Sequence, residues 1–415
     1  MFWCGAATAL GVLSAAAQQS HDWPQWRGPN RDGISTETNW SFNWPREGPR
    51  RLWAAKVGVG WSGVAVAGNR VFTMGNVGDV DDVLCLDANT GRLLWEVPYV
   101  CLAADPNGYP GPRCTPTVDG RLVFTLSRRG DLACINAETG ALIWGKQLVN
   151  ELGARVPHWG FSGSPLVEGP LLIVETGAAG RSLMAFDKLT GRLVWANGND
   201  SAAYSSPVAF DHGGARLVAM FSASGLTLRN GRDGRVTGTS PWKTSYNVHA
   251  ATPVLLGMNR VFISSGYGSG CAMLQVTNGA LRQLWTSKQM RNHVASCVLF
   301  DDHLFGFDDN QNAQLRCISV ANGNVRWAVP TLGKGSLMLA GDKLIILTDR
   351  GRLVVADAAT DTYRERASAQ VIGGRDTWAP PVLSRGRIYL RSLTDLVCLD
   401  VSVPVLPPKT PVTKR

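Results

Sequence analysis

A nine-residue phrase recurs along this chain of 415 residues and constrains its fold more than any other feature. It reads DANTGRLLW at 87–95, NAETGALIW at 136–144 and DKLTGRLVW at 187–195. Weaker copies begin at Asn230, Gln275, Ser319 and Asp357, and an eighth begins at Asp400 and breaks off. The copies lie roughly 40–50 residues apart, the period of propellers and solenoids. Each is an apolar run ending at a turn that carries Asp, Asn or Gly, followed by a second run that in the strongest copies closes on Trp. Asn, Asp and Gly tolerate the positive φ of tight hairpin turns, so the phrase reads as strand, turn, outer strand. A second hairpin precedes it, as in PTVDGRLVF at 116–124. Four short strands per repeat, with no helical periodicity between them, make a propeller blade.

The predicted fold is therefore all-β: a single closed propeller of eight four-stranded blades. RLW at 51–53 reads as an outer strand with no inner strands before it, and residues 396–401 read as a third strand with no outer strand after it. The N-terminal strand is expected to complete the last blade. Gly238 and Glu365 stand where the fourth and seventh copies would close on Trp, which leaves seven blades as the alternative. The expected organisation is a signal peptide at 1–17, an extension at 18–49, the propeller at 50–403 and a disordered tail at 404–415. The signal rests on an apolar stretch ending in Ala15, Ala16, Ala17 and Gln18, an A-x-A type cleavage site. Cys4 lacks the small-residue stretch that precedes a lipidated cysteine.

Composition narrows the function classes. The net charge of +9 raises nucleic acid as a partner, but the Lys and Arg residues are scattered over turns, with no basic run interleaved with aromatics. No nucleic-acid partner is expected. Beyond the first residues there is no apolar stretch long enough for a transmembrane helix. Among the nine cysteines, Cys85, Cys134, Cys317 and Cys398 share one repeat position, where Ala185 and Val355 stand in other blades. That pattern marks a small buried strand residue rather than a disulfide framework. There is no CxxC, Cys/His cluster or HExxH, so no metal site is expected.

Together, the propeller phrase and the segment DWPQWRGPNRDG at 22–33 resemble the secreted bacterial proteins with pyrroloquinoline-quinone-like (PQQ-like) propeller repeats, in the form found in planctomycetes. The resemblance runs from about Trp23 to Val401. It implies a periplasmic or extracellular location. The repeat is shared by quinoprotein alcohol dehydrogenases, by the propeller lipoprotein of the outer-membrane assembly machine, and by many secreted proteins with no assigned role. The dehydrogenase branch implies two adjacent cysteines bonded over the quinone, oxygen ligands holding calcium, and a catalytic Asp. This sequence has no adjacent cysteine pair, and its acidic clusters at 79–82 and 308–312 read as hairpin turns. PQQ is thus a conceivable cofactor without a motif to support it.

The innermost strands offer a local argument. Each opens on a short motif: CTP at 114–116, GSP at 163–165, SSP at 205–207, ATP at 251–253 and APP at 379–381, with degenerate copies at 62–64, 295–297 and 336–338. Residues three to seven places before the Pro position are expected to ring one mouth of the central funnel. They are Trp61, Arg113, His158, Trp159, Tyr204, His249, His293, Lys334 and Trp378. Three of the six histidines fall there, with three tryptophans and a tyrosine. Aromatic walls with titratable donors suit a ligand pocket. His249 and His293 are the candidate proton carriers, and Asp376 or Asp200 a candidate base. Arg113 and Lys334 favour an anionic group such as carboxylate, phosphate or uronate.

Two function classes follow. One is a secreted or periplasmic module that binds a polysaccharide, an anionic small molecule or an envelope protein at the funnel. The other is an enzyme, either a divergent quinoprotein dehydrogenase or a sugar-acting enzyme that uses the ring residues. A scaffold role in outer-membrane assembly is the third alternative.

Overall fold

Each of the first seven copies of the phrase links the third and fourth strands of one sheet in the computed structural model, which describes residues 21–101, 109–309 and 312–403. The expected signal and C-terminal tail lie outside the described residues. Eight four-stranded blades close into a propeller. Blades one to seven occupy 65–100, 117–147, 166–197, 208–241, 254–287, 298–329 and 335–370. Blade eight takes its three inner strands from 382–400 and its outer strand from Arg50–Lys56, which pairs antiparallel with Asp395–Asp400. The count is eight, although blades four and seven lack the closing Trp.

The phrase is an inter-blade docking device. Its Trp lies opposite a small residue of the third strand: Trp95 faces Cys85, Trp144 faces Cys134, Trp327 faces Cys317 and Trp53 faces Cys398. This accounts for the repeated cysteines, which are all buried free thiols. The indole then reaches the turn of the next blade. Trp53 Nε1 donates to Ala88 O at 2.9 Å, Trp95 to Ala137 O at 3.1 Å, Trp144 to Lys188 O at 3.0 Å and Trp285 to Val320 O at 3.0 Å. The turn glycine is required twice over at Gly91: its φ is +70°, and a Cβ there would stand 2.6 Å from the Trp53 ring. In blade four, Gly238 replaces the Trp, and a Cβ there would stand 2.5 Å from Gly279 O. The two blades meet backbone to backbone instead.

Near the axis, the Ser or Thr of the opening motifs in blades two, three, four and six stitches neighbouring blades. Gly63 N donates to Thr115 Oγ1 at 3.0 Å, Thr115 N to Ser164 Oγ at 2.9 Å, Ser164 N to Ser206 Oγ at 2.9 Å and Thr252 N to Ser296 Oγ at 2.9 Å. Burial of these amides near the axis makes a partner obligatory, and a short hydroxyl side chain supplies it.

The extension does not trail outside the ring. Segment 21–37 lies in the axial channel and touches the innermost strand, or the turn after it, in every blade. Trp23 exchanges backbone hydrogen bonds with Val66 of blade one, and Val118 N of blade two donates to Pro24 O at 2.8 Å. Arg31 donates to Ser164 O, Pro165 O and Pro207 O of blades three and four. Trp26 Nε1 donates to Thr252 Oγ1 of blade five at 2.8 Å, and Arg27 to Cys297 O of blade six at 2.7 Å. Ile34–Ser35 forms a short parallel strand on Gly335–Ala340 of blade seven. In the first hairpin of blade eight, Arg385 N donates to Glu37 Oε2 at 2.7 Å and Gly386 N donates to Oε1.

Candidate functional site: a blind aromatic funnel

With the channel filled from one side, the other mouth becomes a blind cavity of about 160 Å3. Its floor is Trp26, from the channel segment. Its walls come from loops that lead into the innermost strands: Trp61, Tyr109, Arg113, Trp159, Tyr204, His293 and Trp378, with Ser162 and Ser206 lower down. Tyr267 joins them from the turn between the second and third strands of blade five.

The walls are rings packed on rings. Trp61 and Trp378 stack with centroids 5.1 Å apart, and the Arg113 guanidinium lies 5.4 Å from the Trp61 centroid on a cation–π contact. Arg113 is held by Tyr109 O at 2.7 Å. Across the cavity, Trp159 packs on Tyr204 and on Tyr246, each at 5.8 Å, and Tyr267 meets the edge of His293 at 5.1 Å. Such offset and edge-on contacts preset the ring positions before a ligand arrives.

The polar groups differ in how they reach this cavity. His293 lines it, with Nδ1 3.4 Å from Asp309 Oδ2. Lys334 is exposed on the rim, where Nζ binds Asp309 Oδ1 at 3.0 Å. Burial alone would raise the Asp309 carboxyl, but the hydrogen bond from His293 and the nearby Lys334 ammonium hold it below the usual range. The result is an oriented imidazole facing the cavity, the arrangement that general acid–base chemistry uses.

Six of the nine expected ring residues line the cavity: Trp61, Arg113, Trp159, Tyr204, His293 and Trp378. His158 stands outside it, edge-on to Trp159 and stacked on Tyr246. His249 is fully buried beneath the wall. Its Nδ1 lies 2.6 Å from Ser222 O, its ring stacks on Phe221 at 4.3 Å, and burial lowers its pKa. It is a neutral packing group at the back of the site. Asp376 is exposed at a positive φ of 58° and does not line the cavity. Asp200 is engaged by Arg229 at 2.7 Å. Sequence reasoning missed Trp26, Tyr109 and Tyr267. The channel motif signalled Trp26 but read as a family marker, and Tyr267 belongs to a turn far in sequence from any opening motif.

Fold and site thus define a class: a closed eight-bladed propeller whose plugged axis leaves one ring-lined funnel. The chain belongs to the PQQ-like propeller repeat family, whose model, described as outer membrane protein assembly factor BamB, matches residues 37–106 and 103–329. No curated protein matches the sequence. Among solved structures it is similar to BamB from Moraxella catarrhalis, at 15% identity and a TM-score of 0.61, over 85% of this chain and 97% of that one. It is also similar to the quinohemoprotein alcohol dehydrogenase ADHIIG from Pseudomonas putida HK5, at 10% identity and a TM-score of 0.65, over 94% and 82%. The computationally designed protein Ika8 matches at 13% identity and a TM-score of 0.55, over 84% and 99%. At such identities the likeness is one of fold.

The residues present do not fit a quinone held with calcium. No two cysteines are adjacent in sequence, and the eight described ones are spread as buried thiols through the structure. Among the described residues no three His, Cys, Asp or Glu side chains converge as metal ligands. The acidic run at 79–82 belongs to a hairpin, and Asp308 is bound by Arg291 at 2.6 Å and Arg316 at 3.1 Å. Among the described residues, no helix is long and apolar enough to cross a membrane.

Proposed function

We propose that this protein is a ligand-binding propeller of the periplasm or cell exterior, with the blind aromatic funnel as its binding site. One observation carries the reading: the Trp26 floor converts an axial hole into a closed-ended cavity lined by seven Trp and Tyr rings and His293, with small apolar side chains such as Val248 and Ala250 between them. Concave, mostly apolar sites with a few placed polar groups are the usual form of small-molecule sites. The volume suits a single ring, since an apolar cavity of about 150 Å3 takes up benzene. The funnel would thus accept one ring of a small molecule or the terminal ring of a longer one. Export is supported by the A-x-A site at Ala15–Ala17. The thiols are compatible with it, because burial pushes Cys85, Cys134, Cys317 and Cys398 up to about 12 and leaves them unreactive.

The test is a thermal-shift and tryptophan-fluorescence screen of ring-bearing small molecules, PQQ with and without calcium among them. A ligand that binds only the folded state raises its apparent stability by mass action. Binders are expected to quench fluorescence saturably and to lose most of that response in Trp378→Ala, but not in Trp327→Phe at a distant blade seam. Equal responses from wild type and Trp378→Ala would overturn the funnel as the site. A calcium-dependent PQQ shift lost in Trp378→Ala would return the quinoprotein reading.

A further inference from the structure

Four buried arginines surround the funnel, and none is matched by a carboxylate in a close ion pair among the described residues. Arg31 lies below it and gives its donors to Ser164 O, Pro165 O and Pro207 O, next to the wall residue Ser206, and to Gln25 Oε1. Arg27 lies beside the Trp26 floor and binds Arg31 O, Asp32 O and Cys297 O. Arg391 lies behind Trp61: its Nη2 would stand 3.2 Å from a Cβ on Gly60, and its hydrogen bonds go to Thr73 Oγ1, Met74 O and Gly58 O. Arg128 lies behind Trp159, against Gly160, with Nε and Nη2 buried and without hydrogen-bond partners.

Carbonyl oxygens satisfy donors without cancelling charge. Burial brings Arg31 and Arg391 down to about 9 and Arg27 to about 10, so all three remain cationic at neutral pH. Burial raises the two carboxyls in their field, Asp32 beside Arg27 and Asp81 near Arg128, and among the described residues no carboxylate acts on Arg31 or Arg391. Arg229 is paired with Asp200. The rim is mixed, with Lys334 and His293 against Asp309, and with Asp349 and Asp376 close by. The excess charge is therefore in the depth of the site and positive. Charges set in low-dielectric walls focus their field into a cleft and are screened less by salt than exposed ones.

Resting on the funnel as a binding site, we infer that its ligand is a ring that carries a carboxylate, a sugar acid or an aromatic acid. Ring-sized apolar walls select the ring, and the buried arginines select the negative charge. Neither feature alone would distinguish such a ligand from a neutral ring or from a bare anion.

Calorimetric titration of the full chain with matched pairs tests this: D-galacturonate against D-galactose, and phenylacetate against phenylacetamide. The acid of one pair is expected to bind on the order of tenfold tighter than its neutral partner. Only part of that gap should close in high salt. Which pair responds tells a sugar acid from an aromatic acid. A neutral member that binds as tightly as its acid, or neutral rings that bind where neither acid does, would overturn the charge assignment and leave the funnel standing. Acetate binding as tightly as phenylacetate would overturn the requirement for a ring. If no ring of either kind binds, in calorimetry or in the fluorescence screen, the funnel reading fails and this inference with it.

Discussion

Glu175 shows how finely single residues are set behind the funnel wall. Oε2 accepts from Ala203 N at 3.0 Å, next to the wall residue Tyr204, and Oε1 is buried with no partner. Burial raises its carboxyl from 4.5 to about 8, against the smaller opposing pull of the Ser222 and Ala203 hydrogen bonds. The folded chain thus keeps a proton that the unfolded chain releases between pH 4.5 and about 8. Across that window stability falls as pH rises, by at most about 1.4 kcal/mol per pH unit. Glu175→Gln keeps the shape of the neutral form and removes the titration, so it is expected to gain on wild type steadily from pH 5 to pH 8 in urea unfolding. A gap that stays constant with pH would show that Glu175 is ionised in the fold. His249 acts in the opposite sense: its pKa is lowered, so its contribution is lost as pH falls below its unfolded value of 6.5. At this scale the sequence is only half legible. A histidine a few places before an opening motif is on the right loop, but whether it faces the cavity, as His293 does, or turns under it onto Phe221, as His249 does, depends on packing that no local pattern records.

The element with most consequence is the channel segment. Its shape is specified by Gly28, where φ is +82° and a Cβ would stand 2.9 Å from the Trp23 ring, so the chain can turn only without a side chain. Arg31 then spans three blades with one planar fork, a task suited to guanidinium rather than ammonium. Arg31→Met keeps the apolar stem and strips the donors from the buried carbonyls of Ser164 and Pro207. The expected loss is about 3 kcal/mol of unfolding free energy, at 1–3 kcal/mol for each stranded polar group. Acrylamide quenching of native tryptophan fluorescence should rise as the Trp26 floor loosens. Unchanged quenching with normal stability would mean that the segment is held by its backbone bonds alone. The repeat phrase, by contrast, was readable as an element because its turn chemistry is local. The role of WPQWRGPNRDG was not, because each of its partners lies in a different blade, brought close only when the ring closes.

At the scale of the whole molecule, the eightfold repeat made the ring legible, including its closure by the strand at 50–56. What the pattern did not reveal is that closure is doubled. The outer strand fastens blade eight from outside, with Trp53 buried between it and Ala88 of blade one. The channel segment fastens blades seven and eight from inside, through the strand at Ile34–Ser35 and the Glu37 carboxylate on the Arg385–Gly386 turn. Both latches belong to the N-terminal part of the chain, so the ring is sealed by residues that precede every complete blade. Two latches on one opening act in parallel: while either holds, the seam between blades eight and one stays closed. Trp53→Ala is expected to cost about 3–5 kcal/mol, as for other buried Trp truncations. Glu37→Ala strands the buried Gly386 amide and frees the part-buried Arg385 amide, and should cost about 1–3 kcal/mol. Each single variant should still unfold in one transition, because the other latch keeps the ring whole. The double variant should lose more than the sum, with a coupling above about 0.5 kcal/mol, the limit within which separate sites add. Strict additivity in a denaturant double-mutant cycle would show that the two seals close independent parts of the ring.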